Sequence, residues 1–401
     1  MTAQPLHHRI LIIGGGNAGI SVAAQLRRRG EHDIAIVDPA QTHYYQPLWT
    51  LVGGGCAQIE KSARKESAVI PAGVRWYQHA ATGIDPDAKT VELDGGQLIR
   101  YDVLVVAPGI QLDWDKVPGL AAAAWSTSGS SNYSADLAPK TWELIKQMRS
   151  GTAVFTQPSG PIKCAGAPQK IAYLAADYWR QQGVLKDIRV VLILPTPGLF
   201  GVPVFAAALA DVVKDYGIEV HFSSEAVEFN ADDGVVIVRD NVADTKQAID
   251  YDMVHVVPPQ SAPDWLAATG LADPNDPNGY IEVDKHTLQH VRYPDVFALG
   301  DAGNTPNSKT GAAIRKQAPV VVNNIVNHLA GRELSASYTG YAGCPLTTSR
   351  SRMLLAEFDY TLTPAPSIPG IDLTKPRRDM WFVKKYGLPA LYWNAIVKGR
   401  A

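Results

Sequence analysis

The sequence predicts an α/β fold of two strand-helix-strand domains followed by a C-terminal segment. Near the N-terminus an apolar run leads into a glycine turn and then a helix, and after residue 150 apolar strands again alternate with helical stretches. A basic, aromatic stretch from residue 375 onward sets the last part of the chain apart. We therefore expect two Rossmann-like dinucleotide-binding domains and a C-terminal membrane-associating segment.

The N-terminal glycine turn predicts the first binding site. It follows the apolar residues 10–13 and precedes a helical stretch at residues 20–29. It contains three spaced glycines: Gly14, Gly16 and Gly19. The first allows the tight turn, the second lets a pyrophosphate approach the backbone, and the third lets the helix pack against the strand. Asp38 ends the next strand and is placed to bond a ribose hydroxyl, so the segment predicts a dinucleotide site.

Two later segments indicate which dinucleotide binds. Residues 296–301 form an apolar strand that ends in Gly300 and Asp301, which can place a carboxylate near the ribityl chain of a flavin. A second buried-type strand ends at a turn that contains Ala107 and Gly109. Together with the glycine turn, these segments resemble the two-dinucleotide-domain flavoprotein disulfide reductase superfamily. In that superfamily the first domain holds FAD.

The second domain lacks the corresponding glycine turn. Its strands and helices are predicted at residues 153–156, 167–182, 189–194, 204–216 and 218–222. Its first turn, residues 157–164, has no glycine triplet, and its prolines remove backbone donors that a phosphate would need. We therefore expect that this domain is retained but does not bind a nicotinamide cofactor. Electrons should then reach the flavin by another route.

Cysteines offer that route. Cys164 precedes a predicted helix, and the helix N-terminus together with Lys163 would favour its thiolate. Cys344 is expected in a loop ahead of a strand at residues 353–358. Considered alone, each is more readily explained as a small buried residue. Cys56 has no close basic neighbour and is interpreted as structural.

Four segments narrow these alternatives: residues 43–53, 131–134, 163–170 and 344–360. They resemble the sulfide:quinone oxidoreductase family, particularly the branch that contains the mitochondrial enzyme, and the resemblance extends from about residue 8 to residue 398. It implies that Cys164 and Cys344 form the redox pair. It also implies that Gln46 and Lys309 contact FAD, with Lys309 stabilising the reduced flavin; the alternative for Lys309 is a solvated lysine at a helix start.

The resemblance also implies a mechanism. Hydrosulfide attacks a Cys164–Cys344 disulfide, or a trisulfide that bridges the two, and leaves one persulfide and one thiolate. The thiolate passes electrons to FAD and then to a quinone, ubiquinone or menaquinone, while the persulfide sulfur goes to a small acceptor such as glutathione or sulfite. By analogy Cys344 attacks the flavin and Cys164 carries the sulfane sulfur.

Two other functions stay open at this point. One is a flavocytochrome-type sulfide dehydrogenase that passes electrons to a cytochrome, although such proteins typically carry export signals and none is recognised here. The other is a non-enzymatic redox sensor in which the two cysteines switch the conformation. An NADH:quinone oxidoreductase is disfavoured because the second glycine triplet is missing.

Composition and charge bear on location. Residues 375–401 carry seven basic residues against one acid, interleaved with aromatic and aliphatic side chains, which suits a membrane surface; a C-terminal helix packed on the protein is the alternative. The net charge of -2 gives no reason to expect nucleic acid. With no signal region or long apolar run recognised, we expect a peripheral membrane protein on the cytoplasmic face of a bacterial inner membrane, with homo-oligomers left open.

Three parts of the chain are expected from these patterns. The FAD domain should be split between residues 1–112 and 224–332, and the second domain should occupy residues 113–223. Residues 333–401 should form the C-terminal segment that contributes Cys344. The histidines show no metal-ligand spacing, so no metal site is expected.

Overall fold

The computed structural model describes residues 6–372 and 374–401. The strands in this part of the chain are, in order, β1 (Leu6–Ile13), β2 (Ile34–Val37), β3 (Thr42–Tyr44), β4 (Ala63–Lys65), β5 (Arg75–Tyr77), β6 (Ala81–Asp85), β7 (Thr90–Leu93), β8 (Leu98–Val106), β9 (Gln111–Leu112), β10 (Gly129–Ser130), β11 (Gly151–Thr156), β12 (Ile188–Ile193), β13 (Glu219–His221), β14 (Ser224–Asn230), β15 (Val235–Asp240), β16 (Thr245–Asp250), β17 (Met253–His255), β18 (Gln260–Ser261), β19 (Val296–Ala298), β20 (Ala342–Thr347) and β21 (Met353–Phe358).

The helices follow the same order: α1 (Asn17–Arg28), α2 (Trp49–Gly53), α3 (Glu66–Val69), α4 (Leu120–Trp125), α5 (Leu137–Gln147), α6 (Ala167–Gln181), α7 (Pro203–Tyr216), α8 (Gly311–Leu329), α9 (Arg378–Phe382) and α10 (Leu388–Asn394). Together, the strands and helices confirm the predicted α/β class with two Rossmann-like domains.

The first domain is built on a seven-stranded sheet in the order β5-β2-β1-β8-β7-β6, with β19 also paired to β8. Strands β5, β2, β1, β8 and β19 run parallel, and β7 and β6 add an antiparallel edge. The central strands read as continuous apolar runs because both faces of the sheet are covered. On one face, α1 and α8 pack together and against the strands. This packing brings the ends of β1, β8 and β19 to one edge of the sheet.

The second domain has a five-stranded parallel sheet in the order β10-β17-β11-β12-β13. Its outer face is covered by the antiparallel ribbon β14-β15-β16, whose buried Phe229, Val236 and Val238 pack on Val154 and Val191. The expected boundary at residue 223 therefore needs correction, because this domain continues through β17. The apolar face of the ribbon packs on the second sheet. After the ribbon, β17 pairs with β11 and so belongs to the same sheet. The chain re-enters the first domain after this strand.

The hairpin formed by β20 and β21 joins the two domains, because β20 packs on both α6 and α8. Cys344 lies inside β20, opposite Ala356, and not in the loop that was expected. The neighbouring Pro345 is compatible with a strand here because β20 pairs with β21 along one edge and with no other named strand. The hairpin thus holds Cys344 between helices of different domains.

The C-terminal segment packs on the first domain more closely than the basic, aromatic pattern predicted. Its buried side chains include Trp381, Tyr392, Ile396 and Val397, whereas Phe382 and Tyr386 are 61% and 58% exposed. Within residues 6–372 and 374–401, no helix combines the length and the apolar character needed to cross a membrane. The segment therefore serves mainly as packing, with one exposed aromatic pair.

Candidate functional site

The first predicted site lies where β1 ends and α1 begins. Gly14 has a φ of 102°, and a Cβ there would lie 2.2 Å from the carbonyl oxygen of Ala107, so only glycine suits this position. A Cβ on Gly19 would lie 1.8 Å from the carbonyl oxygen of Gly14. By contrast, a Cβ on Gly16 would meet no described atom within 4 Å. The turn is tight at both ends and open over its middle glycine, as the approach of a pyrophosphate requires.

Asp38 lies beside this turn at the end of β2. Its carboxylate accepts hydrogen bonds from the backbone N–H of Gly15 at 2.5 Å and of Ala40 at 2.7 Å. Gly109 follows the end of β8 with a φ of 80°. The structure thus brings the predicted ribose residue and both predicted turns to one edge of the first sheet.

Asp301 lies on the short turn after β19, where the backbone N–H of Gly300 donates to Oε1 of Gln317 at 2.9 Å. Oδ1 of Asp301 is buried and has no hydrogen-bond partner among the described residues. Burial raises the pKa of this carboxyl group, and the charges of Lys309 and Lys163 oppose that shift. A buried carboxylate oxygen without a partner is costly, so this position indicates a polar ligand.

Lys309 is buried two residues before α8. Its Nζ donates to the carbonyl oxygens of Asp301 at 2.8 Å and Gly303 at 2.9 Å, and lies 3.7 Å from the ring centroid of Tyr280. Burial lowers the pKa of Lys309 to about 8, while Asp301 acts in the opposite direction. This is a fixed, buried cation and not the solvated lysine that was the alternative.

These residues fit FAD. The open space over Gly16 suits a pyrophosphate, and Asp38 marks the ribose end of that site. At the far end, the unpaired oxygen of Asp301 and the cation of Lys309 suit a ribityl chain and an electron-rich ring.

The two predicted redox cysteines meet between the domains. Cys164 lies on the loop between β11 and α6, at the place where a second nucleotide would have its glycine turn, and Cys344 lies on β20. Their sulfur atoms are 3.4 Å apart, and the structure holds both residues as thiols. A disulfide needs about 2.05 Å, so a small movement would join them. Cys164 also has a φ of 89°, which is costly for a residue with a side chain.

The charge that activates Cys164 comes from Lys170 and not from the predicted Lys163. Nζ of Lys170 lies 3.2 Å from Sγ of Cys164. The hydrogen bond with Cys344 holds the pKa of Cys164 well below its usual value, and Lys170 acts in the same direction against burial. The same hydrogen bond, together with burial, raises the pKa of Cys344 well above its usual value. Cys164 is therefore the thiolate of the reduced pair.

Lys163 is directed elsewhere. Its Nζ donates to Oε1 of Gln46 at 2.9 Å, and its backbone forms a bridge with Lys309. Its carbonyl oxygen accepts from the hydroxyl of Tyr133 at 3.1 Å. These contacts tie the cysteine-bearing loop to Gln46 and Lys309, the two residues that the family resemblance places at FAD.

A second buried lysine approaches the cysteines from the C-terminal segment. Nζ of Lys384 donates to the carbonyl oxygen of Pro47 at 2.8 Å. Burial lowers the pKa of Lys384 to about 7, with a further lowering by Lys170, while Cys164 and Cys344 act in the opposite direction. The two sulfur atoms therefore interact with two lysines from distant parts of the chain, Lys170 and Lys384.

Sequence reasoning missed Lys170 and Lys384. A signal existed for Lys170, because it lies in the first turn of a helix whose following residues are apolar, and helical side chains point back toward the N-terminus. Lys384 had no separate signal among the basic residues of the tail. Cys56, interpreted as structural, has its thiol bonded to the carbonyl oxygen of Gly54, and burial raises its pKa.

Comparison with known proteins gives four consistent matches. Residues 8–315 match the family model described as pyridine nucleotide-disulphide oxidoreductase. The chain is 39% identical to the mitochondrial sulfide:quinone oxidoreductase of Mus musculus, over 98% of this chain and 87% of that protein. It is 42% identical to the protein of the same name from Dictyostelium discoideum, over 98% and 86% of the two chains. The solved sulfide:quinone oxidoreductase of Aquifex aeolicus shares the fold, with a TM-score of 0.83 at 20% identity over 98% of this chain and 92% of that one.

Proposed function

Because this chain belongs to the sulfide:quinone oxidoreductase family, we propose that it oxidises sulfide and delivers the electrons to a quinone, with FAD as its cofactor. The observation that carries this proposal is the pair Cys164 and Cys344, 3.4 Å apart, beside the FAD-type site and next to the Lys170 cation. Neither an ordinary buried cysteine nor a nicotinamide site accounts for that arrangement.

Asp38, Asp301 and Lys309 would hold the cofactor, together with the glycine turn. When bound, FAD supplies a two-electron acceptor for the thiol pair and a donor for the quinone. Lys309 keeps a positive charge at this end of the site through its bonds to the carbonyl oxygens of Asp301 and Gly303. Lys163 holds the cysteine loop against Gln46.

The first chemical step uses the oxidised cysteine pair. Hydrosulfide attacks Sγ of Cys164, a new S–S bond forms, and the bond to Cys344 breaks with its electron pair left on Cys344 as a thiolate. Lys170 and Lys384 favour anionic sulfur in this place. A sulfur atom that bridged the reduced pair would need two bonds of about 2.05 Å each, so a bent bridge suits the 3.4 Å separation.

The second step releases the sulfane sulfur. An acceptor nucleophile, such as a small thiol or sulfite, attacks the outer sulfur of the Cys164 persulfide, and Cys164 leaves as a thiolate. A thiol with a lowered pKa leaves faster, and Lys170 lowers that of Cys164. Cys344 is 0% exposed, so the external nucleophile meets Cys164 first. These points support Cys164 as the sulfane carrier and Cys344 as the residue that delivers electrons to the cofactor.

A membrane surface is the proposed source of the quinone. Phe382 and Tyr386 are exposed on the C-terminal segment, their rings stack at 6.3 Å, and Lys385 lies 5.3 Å from the Tyr386 ring. Aromatic side chains next to a lysine suit the headgroup region of a bilayer. We propose that this pair holds the protein at a membrane surface, and that this surface is the cytoplasmic face of a bacterial inner membrane.

Steady-state reduction of a short-chain ubiquinone by sulfide tests the proposal. The FAD-loaded protein should reduce the quinone with sulfide and not with NADH. Either substitution, Cys164→Ser or Cys344→Ser, should abolish the reaction. The matched control, Cys56→Ser, should keep it. Quinone reduction by either of the first two variants at the wild-type rate would refute the proposed pathway.

A further inference from the structure

A buried carboxylate beside the glycine turn has no role in the steps above. Glu66 begins α3, directly after β4, and its side chain is almost fully buried. Oε2 of Glu66 lies 3.2 Å from Nδ1 of His43. Oε1 is buried and has no hydrogen-bond partner among the described residues. A buried carboxylate oxygen is costly without a donor, so Oε1 points to a ligand that brings one.

The position of Oε1 identifies the kind of ligand. A Cβ built on Gly15 would lie 2.8 Å from Oε1 of Glu66 and 3.1 Å from Cβ of Asp38. The carboxylates of Glu66 and Asp38 therefore flank the same residue of the turn. Two neighbouring carboxylates repel each other, and a separate hydrogen-bond donor to each one offsets that cost. A ribose diol supplies two adjacent hydroxyl donors.

We propose that Glu66 is a second ribose-binding carboxylate, which accepts one hydroxyl of the adenosine ribose of FAD while Asp38 accepts the other. This assignment concerns cofactor binding, so it holds whether or not the cysteines act on sulfide.

His43 fixes Glu66 and links it to the C-terminal segment. Nδ1 of His43 lies 3.0 Å from the carbonyl oxygen of Gly15, which only accepts, so Nδ1 carries the proton. Nε2 is then an acceptor, and the hydroxyl of Tyr392 donates to it. In this arrangement both ring nitrogens of His43 have a hydrogen-bond partner. His43, Glu66 and Tyr392 are all buried.

Tyr392 is in turn held by aromatic packing. Its ring centroid lies 4.6 Å from that of Tyr45 and 4.9 Å from that of Trp393. The guanidinium of Arg64 lies 4.8 Å from the Trp393 ring. Tyr392 is therefore a positioning residue that acts through His43, and it couples the docking of the C-terminal segment to retention of FAD.

The first test measures the FAD dissociation constant of the apoprotein, with Glu66→Gln as the variant and the exposed Glu60→Gln as its control. Loss of a hydrogen bond to a charged group should weaken FAD about tenfold or more in Glu66→Gln. The control should bind like wild type. Unchanged FAD affinity in Glu66→Gln would overturn the proposal. Thermal unfolding of both apoproteins shows whether the substitution affects the fold itself.

The second test asks whether the ribose is the group that Glu66 contacts. FAD analogues that lack the 2′- or the 3′-hydroxyl of the adenosine ribose are compared with FAD. Wild type should bind both analogues more weakly than FAD. Glu66→Gln should lose no further affinity for one of them, because that hydroxyl has already lost its partner. Equal losses for both analogues in wild type and variant would show that Glu66 acts elsewhere.

The third test follows the link to the C-terminal segment. Tyr392→Phe removes the hydroxyl that orients His43 and should speed FAD release, with a smaller loss of affinity than Glu66→Gln. Tyr386→Phe, an exposed site on the same segment, is the control. The double variant Glu66→Gln with Tyr392→Phe should release FAD no faster than Glu66→Gln alone. Additive effects of the two substitutions would contradict the relay through His43.

Discussion

The ammonium of Lys170 lies 3.2 Å from the sulfur of Cys164. Lys170 is in the first turn of α6, and Cys164 lies just before that helix. This contact, with the hydrogen bond between Cys164 and Cys344, sets Cys164 apart from the other two cysteines of the chain. We expect Lys170→Met to raise the pKa of Cys164 by about one unit or more, because a nearby opposite charge lowers a pKa by that amount. Lys170→Arg should largely restore it.

Alkylation of the reduced protein measures this effect. Because the pKa of Cys164 is lowered, its thiolate persists at pH values below those at which a cysteine normally ionises. The alkylation rate at neutral pH should therefore be high. In Lys170→Met the rate at neutral pH should fall and the midpoint should move to higher pH. The exposed Lys186→Met serves as the control. A pH profile of Lys170→Met that overlays wild type would contradict the assignment.

The glycine turn predicts two different outcomes for two alanine substitutions. In Gly16→Ala the new methyl group meets no described atom within 4 Å, so the apoprotein should fold with an unchanged melting temperature. The methyl group would occupy the space that a pyrophosphate needs, so FAD affinity should fall about tenfold or more.

Titration of the apoprotein with FAD measures the affinity, and thermal unfolding measures the fold. Gly198→Ala, which also meets no described atom within 4 Å, is the matched control in the second domain. Gly14→Ala should instead damage the fold, because its Cβ would lie 2.2 Å from the carbonyl oxygen of Ala107. Normal FAD binding by Gly16→Ala would show that the pyrophosphate lies elsewhere.

Lys384 predicts a pH dependence of stability. Its pKa falls from 10.5 in the unfolded chain to about 7 in the folded protein, mainly through burial. Between these values the unfolded state binds more protons, so the free energy of unfolding should rise as the pH increases from about 7 toward 10.5. Below the lower value the cost of the buried charge is fully present.

Denaturant unfolding of the FAD-loaded protein across this pH range tests the sign. The comparison is the difference between wild type and Lys384→Met, which cancels the titration of groups that do not interact with Lys384. Wild type should gain stability over the variant as the pH rises. Wild type should show no such gain over the control Lys385→Met, at the neighbouring and less buried site. A pH-independent difference for Lys384→Met would mean that Lys384 keeps its usual pKa.

The exposed aromatic pair predicts binding to lipid. Burial of a phenylalanine-sized side chain contributes about 1.5–3 kcal/mol, so Phe382→Ser with Tyr386→Ser should weaken binding to anionic vesicles by about tenfold or more. Co-sedimentation measures this, and added salt should weaken the binding further because basic residues flank the pair. Trp125→Ser, at an aromatic residue 54% exposed in the second domain, should bind like wild type. Equal sedimentation of all three proteins would show that Phe382 and Tyr386 do not contact the membrane.

Local patterns predicted much of the fold. The glycine turn, the strand that ends at Asp38 and the strand Met353–Phe358 were each visible from spacing or from apolar runs, because these signals depend on near neighbours in the chain. The boundary at residue 223 was misplaced because β17 joins the second sheet by pairing with β11, a strand about a hundred residues earlier. Cys344 was assigned to a loop because Pro345 follows it, and nothing local shows that β20 pairs with only one named strand.

The site was less accessible to sequence reasoning than the fold. Cys164 and Cys344 were candidates from the sequence, but only the resemblance favoured a redox role for the pair, since each alone is a common type of buried residue. Lys170, Lys384 and Glu66 were not identified, because their roles depend on burial and on contacts with residues far away in the chain. Their residue types alone predict solvated surface groups. Only the tertiary structure turns them into buried groups close to the cysteines or to the glycine turn.

An anaerobic absorbance titration of the flavin with sulfide, followed by a short-chain ubiquinone, tests the central claim that electrons pass from sulfide through the cysteine pair to FAD and then to quinone. In wild type and in Cys56→Ser, sulfide should bleach the flavin and the quinone should restore it. In Cys164→Ser the flavin should stay oxidised. Bleaching of Cys164→Ser at the wild-type rate, or no bleaching of wild type, would contradict the account.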